Sequence, residues 1–280
     1  MKTLVTGGSG YLGTFVRNFF SADDFSRRSG FDVRDEQAVE RVADYDVVIH
    51  LAAHFDKHPD GASECFRTNA VGTANVLRNM KPGAVFIYAS TKDVYGRHAE
   101  DKDSVDETTS TAYCGQSAFE WSKLMGERYV EYYARARDLR ACIFRLSTIF
   151  ARPSEDNAPG IVTHYAESVK HRVPIRLPAG ADPVRDILYV DDFSRACRSF
   201  INSTVQFGLY NLGGGRLNTV SLHDLVNLIG TMVEIEPIIQ DDPAMPPPVP
   251  LRYVSDTKRV EHDLDWRPQI AVDHGVRVIL

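Results

Sequence analysis

Three glycines near the start of the chain carry the plainest chemistry. Gly7, Gly10 and Gly13 recur at every third position in Thr6-Gly7-Gly8-Ser9-Gly10-Tyr11-Leu12-Gly13. A short apolar strand, Lys2 to Thr6, precedes them, and a helix from about Leu12 to Phe20 follows. In such a strand–turn–helix the first glycine permits the tight turn. The second lets backbone approach a pyrophosphate, and the third lets the helix pack against the sheet. The amides that open the helix, at Tyr11 and Leu12, favour negative charge. The expected ligand is a dinucleotide.

Other chemistries find little support. The net charge is −6 and no block of like charges is present, so nucleic acid, which needs a basic face, is excluded as a partner. His54 and His58 flank Asp56 but lack a third ligand nearby, so no metal is expected. His54 reads instead as a substrate contact. Cys65, Cys114, Cys142 and Cys197 lie far apart without a Cys-x-x-Cys pair, which suggests neither zinc nor a disulfide framework. The N-terminus runs straight into the glycine turn, leaving no leader, so a cytoplasmic location with reduced thiols is expected. No apolar run approaches the roughly 20 residues of a membrane span.

The elements that must position a site alternate. Asp46 to His50, Ala84 to Ala89 and Arg140 to Leu146 read as buried strands. Glu64 to Met80 and Ser117 to Ala136 read as helices. Strands alternating with helices predict an α/β fold, a Rossmann-type parallel sheet with helices on both faces. Continuously apolar strands fit burial on both sides. The reading divides the 280 residues into a dinucleotide-binding domain over 1–150 and a smaller, mainly substrate-binding lobe over 151–280, with room for segments that return to the first. Arg152 to Gly160 reads as a loop, and the proline-rich Asp241 to Pro250 as extended chain.

Several segments, taken in order, carry a resemblance. They are the glycine turn, Asp32-Val33-Arg34-Asp35, Ile49-His50-Leu51-Ala52-Ala53, Asn69-Ala70-Val71-Gly72-Thr73, Ser90 to Gly96, Arg185 to Asp192, and Tyr210 to Gly215. The chain resembles the extended short-chain dehydrogenases, of the NAD-dependent epimerase/dehydratase type that modifies nucleotide sugars. The resemblance implies cofactor contacts at Asp32, Val33, Leu51, Ala52, Ala53 and Asn69.

The family's catalytic parts are a Ser or Thr at a strand end and a Tyr-x-x-x-Lys pair on a helix, whose i and i+4 residues share one face. Thr91 takes the first place. Ser122-Lys123-Leu124-Met125-Gly126-Glu127 fixes Lys123 as the lysine, which would also hold the nicotinamide ribose. Four residues earlier stands Phe119, which cannot shuttle a proton. Three readings compete: an engineered Tyr→Phe change, a natural loss of turnover, or another proton carrier such as Tyr113. Where the 4,6-dehydratases have Asp-Glu, this chain has Lys92-Asp93. That favours epimerisation or 4-keto reduction over dehydration. A plainer role for Asp93 is to cap a turn.

An acidic residue after the second strand holds an adenosine ribose, whereas arginine accommodates a 2′-phosphate. The compressed segment Asp23 to Arg28 is the only candidate second strand, and Arg27 and Arg28 end it. They lean the cofactor toward NADP, with NAD as the other candidate.

Arg185 matches the family arginine that meets the nucleotide, the competing reading being a salt bridge to Asp186 or Asp191. The family's Arg-x-Gly-Asp is missing, and Arg252 is the candidate substitute. Thr148 stands in the sugar pocket, where the family often has asparagine. The whole reads as an NAD(P)-dependent epimerase or 4-keto reductase acting on a nucleotide-activated sugar, with a homodimer expected by analogy. The alternative is a catalytically silent NAD(P)-binding sensor or regulatory subunit.

Overall fold

The computed structural model describes residues 1–280. Along the chain, β1 (Thr3–Thr6) leads through the glycine turn into α1 (Tyr11–Phe20), then β2 (Asp23–Phe25) and β3 (Val47–His50). Next come α2 (Ala62–Cys65), a wide π-helical stretch (Phe66–Gly72) and α3 (Thr73–Asn79), which together replace the single helix expected there. After β4 (Val85–Thr91), α4 (Ala118–Ala136) and β5 (Arg140–Leu146) the chain leaves the first sheet. It then forms β6 (Thr148–Phe150), α5 (Ile161–Lys170), β7 (Ile175–Pro178), β8 (Val184–Tyr189) and α6 (Val190–Asn202). Last come β9 (Phe207–Leu212), β10 (Thr219–Ser221), α7 (Leu222–Val233), β11 (Ile239–Asp242), β12 (Arg252–Tyr253), α8 (Lys258–Leu264) and α9 (Val272–Ile279).

Six parallel strands in the order β2-β1-β3-β4-β5-β9 form the main sheet. Its strands divide their side chains between two layers, because successive residues point to opposite faces. Val5, Ile49, Ile87 and Phe144 join one core, which also holds Val16 of α1 and Phe193 of α6. Leu4, Val48, Phe86 and Ile143 join the other, with Val76 and Leu77 of α3 and Val130 of α4. Both faces are therefore covered, as a parallel sheet requires. The chain crosses from one side of β1 to the other between β2 and β3, and ligands bind outside strand ends at such a switch point.

β9 lies in the second half of the chain yet pairs along β5. A second sheet runs β10-β8-β12, with β6 also on β8, and β7 pairs with β11. The second strand is shorter than Asp23 to Arg28. It stops at Phe25 because the Ser26 side chain bonds Ser29 and Gly30 turns the chain with φ +87°. The expected extended course of Asp241 to Pro250 holds at its start, where Asp241 and Asp242 finish β11.

Candidate active site

The glycine turn closes against the end of β3. Gly7 has φ +69°, and a Cβ there would lie 2.8 Å from the Ala52 nitrogen. A Cβ on Gly13 would come 2.0 Å from the Gly7 oxygen, so α1 can meet the turn only through glycine. No side chain caps Gly10 at the head of α1. The first amides of an α-helix have no intrahelical partner. They open toward a cleft lined by Gly7, Ser9, Gly10, Arg27, Asp32, Val33 and Leu51 to His54. A cradle that any Cβ would fill, with unpaired amides at its head, fits a dinucleotide pyrophosphate. Tyr11 and Leu12 contribute only backbone there. The Tyr11 hydroxyl is tied instead to Ala151 and Thr163, and Leu12 packs on the core.

Just after β2 the two arginines of the cleft part. Arg28 donates to the Ser9 oxygen (3.0 Å) and to the Asp156 carbonyl, so it fastens the 152–160 loop over the cleft. Asn157 from that loop donates to Ser9 (3.1 Å) and lines the cleft. Arg27 lines the cleft with no ion-pair or hydrogen-bond partner. Asp32 is paired with Arg34 at 2.6 Å, and that hydrogen bond, working against partial burial, lowers its pKa. Asn69 is fully buried and does not line the cleft. Its amide donates to the His54 oxygen (2.9 Å) and the Ser122 hydroxyl (2.9 Å), and its oxygen accepts from the His54 nitrogen (2.7 Å). Its side chain is spent on shaping the loop after β3. His54 lines the cleft at the glycine turn.

Beneath this loop His50 is fully buried between Thr6 (2.8 Å) and Thr73 (3.0 Å). The Thr73 hydroxyl is donated to the Asn69 oxygen, so His50 Nε2 must carry the proton and Nδ1 accepts from Thr6. Burial, helped by the nearby Lys123 charge, pushes His50 down to about 3. The ring is neutral at pH 7.

Thr91 ends β4, and its hydroxyl oxygen accepts from the Asp93 amide (3.1 Å). α4 starts beside it because Ser117 and Glu120 form a capping box, a feature worth about 1 kcal/mol. That start puts Phe119 and Lys123 on one buried face. Lys123 donates to the Ala89 oxygen of β4 at 2.8 Å and lies 5.0 Å from the Tyr88 ring centre. Burial lowers its ammonium to about 8, against the pull of Glu127. The strand end is held from below by a buried chain of polar groups. Ser90 donates to Glu127, Arg145 forks onto Glu127 at 2.7 and 3.0 Å and reaches the Tyr95 hydroxyl at 3.0 Å, and Tyr95 donates to Asn211 at 2.7 Å. Losing one charge of such a buried pair costs about 3–5 kcal/mol.

Two lysines hold Asp93. Lys92 pairs with one carboxylate oxygen and Lys57 with the other at 2.9 Å, and their charges outweigh burial to keep Asp93 well below the usual carboxylate range. Asp93 is thus an ion-pair centre, and its backbone amide caps at Thr91. Tyr113 does not stand in for a missing phenol: it is exposed and stacks on Trp121, on the outer face of α4.

On the far side, Arg185 of β8 is buried and makes no salt bridge to Asp186 or Asp191. One of its nitrogens donates to the Val184 (2.6 Å) and Leu251 (2.9 Å) oxygens. Asp186 is occupied by Ser147 and by the Gly215 and Ser255 amides. Burial lowers the Arg185 pKa, while the charges of Asp93 and Asp186 oppose the shift. Thr148 sits half-buried opposite Ile187, two residues along β8 from Arg185. Arg252 is exposed in a shallow surface cleft with Glu100, Asp101 and Asp103. Its alternate neighbour Tyr253 takes the inward position.

Lys57, Phe55, Glu120 and Asn157 escaped the sequence reading. Asn157 returns across 148 residues to meet Ser9, and no local pattern marks such a contact. Lys57 sits just past a strand end, where binding groups gather in this fold, and that position is the one signal it gave.

Fold and site together define a Rossmann-type dinucleotide-binding protein with a hydroxyl at a strand end and a lysine on the adjoining helix. A family model described as the NAD dependent epimerase/dehydratase family matches residues 3–213. The chain belongs to that family. It is 25% identical to the CDP-paratose 2-epimerase of Salmonella typhi, over 99% of this chain and 97% of the relative. It is 26% identical to dTDP-glucose 4,6-dehydratase 1 of Escherichia coli K12, over 99% and 91%. The structure of the Thermotoga maritima UDP-glucose 4-epimerase with UDP-glucose superposes with a TM-score of 0.84, covering 100% of this chain and 97% of that one at 22% identity. No helix is long and apolar enough to cross a membrane.

Proposed function

We propose that the protein is an NAD(P)-dependent epimerase or 4-keto reductase of a nucleotide-activated sugar. The observation that carries this reading is that Thr91 and Lys123 both reach the end of β4, two strands from the β1 end that carries the glycine turn. A bound nicotinamide dinucleotide would supply the hydride acceptor and donor. Thr91 holds the sugar oxygen through its hydroxyl, and Lys123 holds the nicotinamide ribose. Arg185 offers unpaired N–H groups to the nucleotide diphosphate. Lys92 neutralises Asp93, which argues against expulsion of a sugar hydroxyl by an acid–base pair. The experiment is direct: purified protein is incubated with a panel of nucleotide sugars and either dinucleotide, and products are separated by chromatography. Conversion of none of them defeats the reading.

The cofactor is read as NADP. Arg27 is free at the end of β2, and Ser26 stands where an acid would repel a 2′-phosphate. We read the chain as a homodimer formed by the α2–α3 and α4 faces, where Val71, Trp121, Met125 and Tyr132 are exposed. We place it in the cytoplasm, since all four cysteines are free. A second reading, a silent NAD(P)-binding sensor, is favoured by one feature: Phe119 offers no proton.

A further inference from the structure

We propose that Lys57 is a catalytic residue whose ammonium holds the reacting sugar oxygen as it gains negative charge, the task a phenol at position 119 would otherwise share. The proposal rests on the enzyme reading given above. The loop after β3 brings two side chains to the head of α4. Phe55 lays its ring against Phe119, with centroids 4.7 Å apart. Two residues on, Lys57 Nζ lies 2.9 Å from Asp93 Oδ2 and 2.8 Å from Glu120 Oε1. Asp93 is tied through its amide to the Thr91 hydroxyl, and Glu120 directly follows Phe119. The ammonium is thus braced between the two elements that carry the strand-end hydroxyl and the position of the absent one.

An ammonium has three donors, and two are used here. The side chain is 48% exposed, so the third N–H is available to a ligand. The two carboxylates outweigh burial and hold the proton on Lys57 more firmly than on an ordinary lysine. A fixed cation that keeps its proton suits charge stabilisation. As hydride from a reduced dinucleotide adds to the carbonyl carbon, the C=O π bond breaks to an alkoxide that the ammonium holds. Solvent water at this half-exposed position supplies the proton that completes the hydroxyl, and the reverse direction returns it to water. Lys92 is the other cation nearby, but it is nearly buried, with its Nζ 5.1 Å from the Tyr253 ring centre, and faces the second lobe. The loop itself is stiff. Asn69 grips His54 from both sides, and the Cys65 thiol contacts the Asp56 oxygen at 3.3 Å. Lys57 is therefore placed by structure already paid for elsewhere.

The test compares wild type, Lys57→Met, Lys57→Arg, Phe119→Tyr and the Lys57→Met/Phe119→Tyr double variant on the same nucleotide-sugar panel. Dinucleotide affinity by calorimetry and melting temperature are measured alongside. Lys57→Met is expected to lower kcat about 100-fold or more with KM little changed, while dinucleotide affinity holds and melting falls only modestly, because Asp93 keeps Lys92 and Glu120 keeps Ser117. Lys57→Arg is expected to keep part of the rate, and Phe119→Tyr to restore turnover to Lys57→Met. A Lys57→Met rate within about threefold of wild type overturns the proposal, as does a loss confined to KM. An inert wild type with an active Phe119→Tyr also overturns it, leaving the enzyme reading intact for the family site. If wild type and Phe119→Tyr are both inert, both readings fall.

Discussion

The ring of Phe55 stands edge-on to the ring of Phe119, centroids 4.7 Å apart and planes 66° apart. An aromatic pair of this geometry adds about 0.5–1.5 kcal/mol beyond the area it buries. Position 119 is thus an apolar contact, four residues before a lysine whose charge has no phenol to act upon.

Restoring that phenol is the most informative change. Phe119→Tyr places a hydroxyl one helical turn before Lys123, whose cation lowers a phenol pKa. The expected outcome is a rise in kcat of about 10- to 100-fold on the nucleotide sugar that wild type converts. Steady-state kinetics decide it, and an unchanged kcat would mean that position 119 never handled the proton.

Lys123 should matter to ligand and rate more than to folding. Lys123→Met removes a buried ammonium that donates to Ala89, so thermal stability should hold or rise. Dinucleotide affinity should fall about tenfold, the worth of one hydrogen bond from a charged donor. Calorimetric titration and a melting curve on one preparation check both. Unaltered affinity would remove Lys123 from the cofactor site.

Cofactor choice turns on Arg27. Arg27→Ala should weaken NADP binding about 10- to 100-fold while leaving NAD binding alone, because one charge-assisted contact to phosphate is lost. Fluorescence titration with the two reduced dinucleotides measures the ratio. Equal losses for both would place Arg27 off the 2′ position.

His50 gives a pH signature. Its folded pKa lies near 3, below the ordinary histidine value of 6.5, because burial opposes charge. Protons bind the unfolded chain first as pH falls, so the stabilisation present above pH 6.5 is lost on acidification toward 3. Urea unfolding between pH 7 and 5 should show stability falling by up to about 1.4 kcal/mol per pH unit from this group. His50→Gln should flatten that slope. An equally steep slope in the variant would assign it elsewhere.

The dimer reading predicts that light scattering on wild type gives twice the chain mass. Met125→Asp, on the exposed face of α4, should yield monomer with an unchanged fold by circular dichroism. A monomeric wild type ends that reading.

Much of the fold was legible in residue order. Glycines at 7, 10 and 13 specify a turn sterically, because the Gly7 backbone and a Gly13 side chain would claim the same space. Continuous apolar runs such as Val85 to Ala89 specify strands buried on two faces, and the run from Ser117 to Ala136 specifies α4. Those are local rules, and the sequence obeys them locally. The spacing of Phe119 and Lys123 on one helix face follows from the same helical period.

Tertiary structure alone decided which polar groups were free to act. Asn69 matched a cofactor-binding motif, yet both ends of its amide are consumed by His54 and Ser122. Arg27 and Arg28 are identical in type and adjacent in sequence, but only Arg28 meets the carbonyls of Ser9 and Asp156. Lys57 became a candidate only when folding set its ammonium between Asp93 and Glu120, 36 residues and 63 residues away. Hydrogen-bonding capacity is finite, and who spends it depends on neighbours in space, which the order of residues does not state.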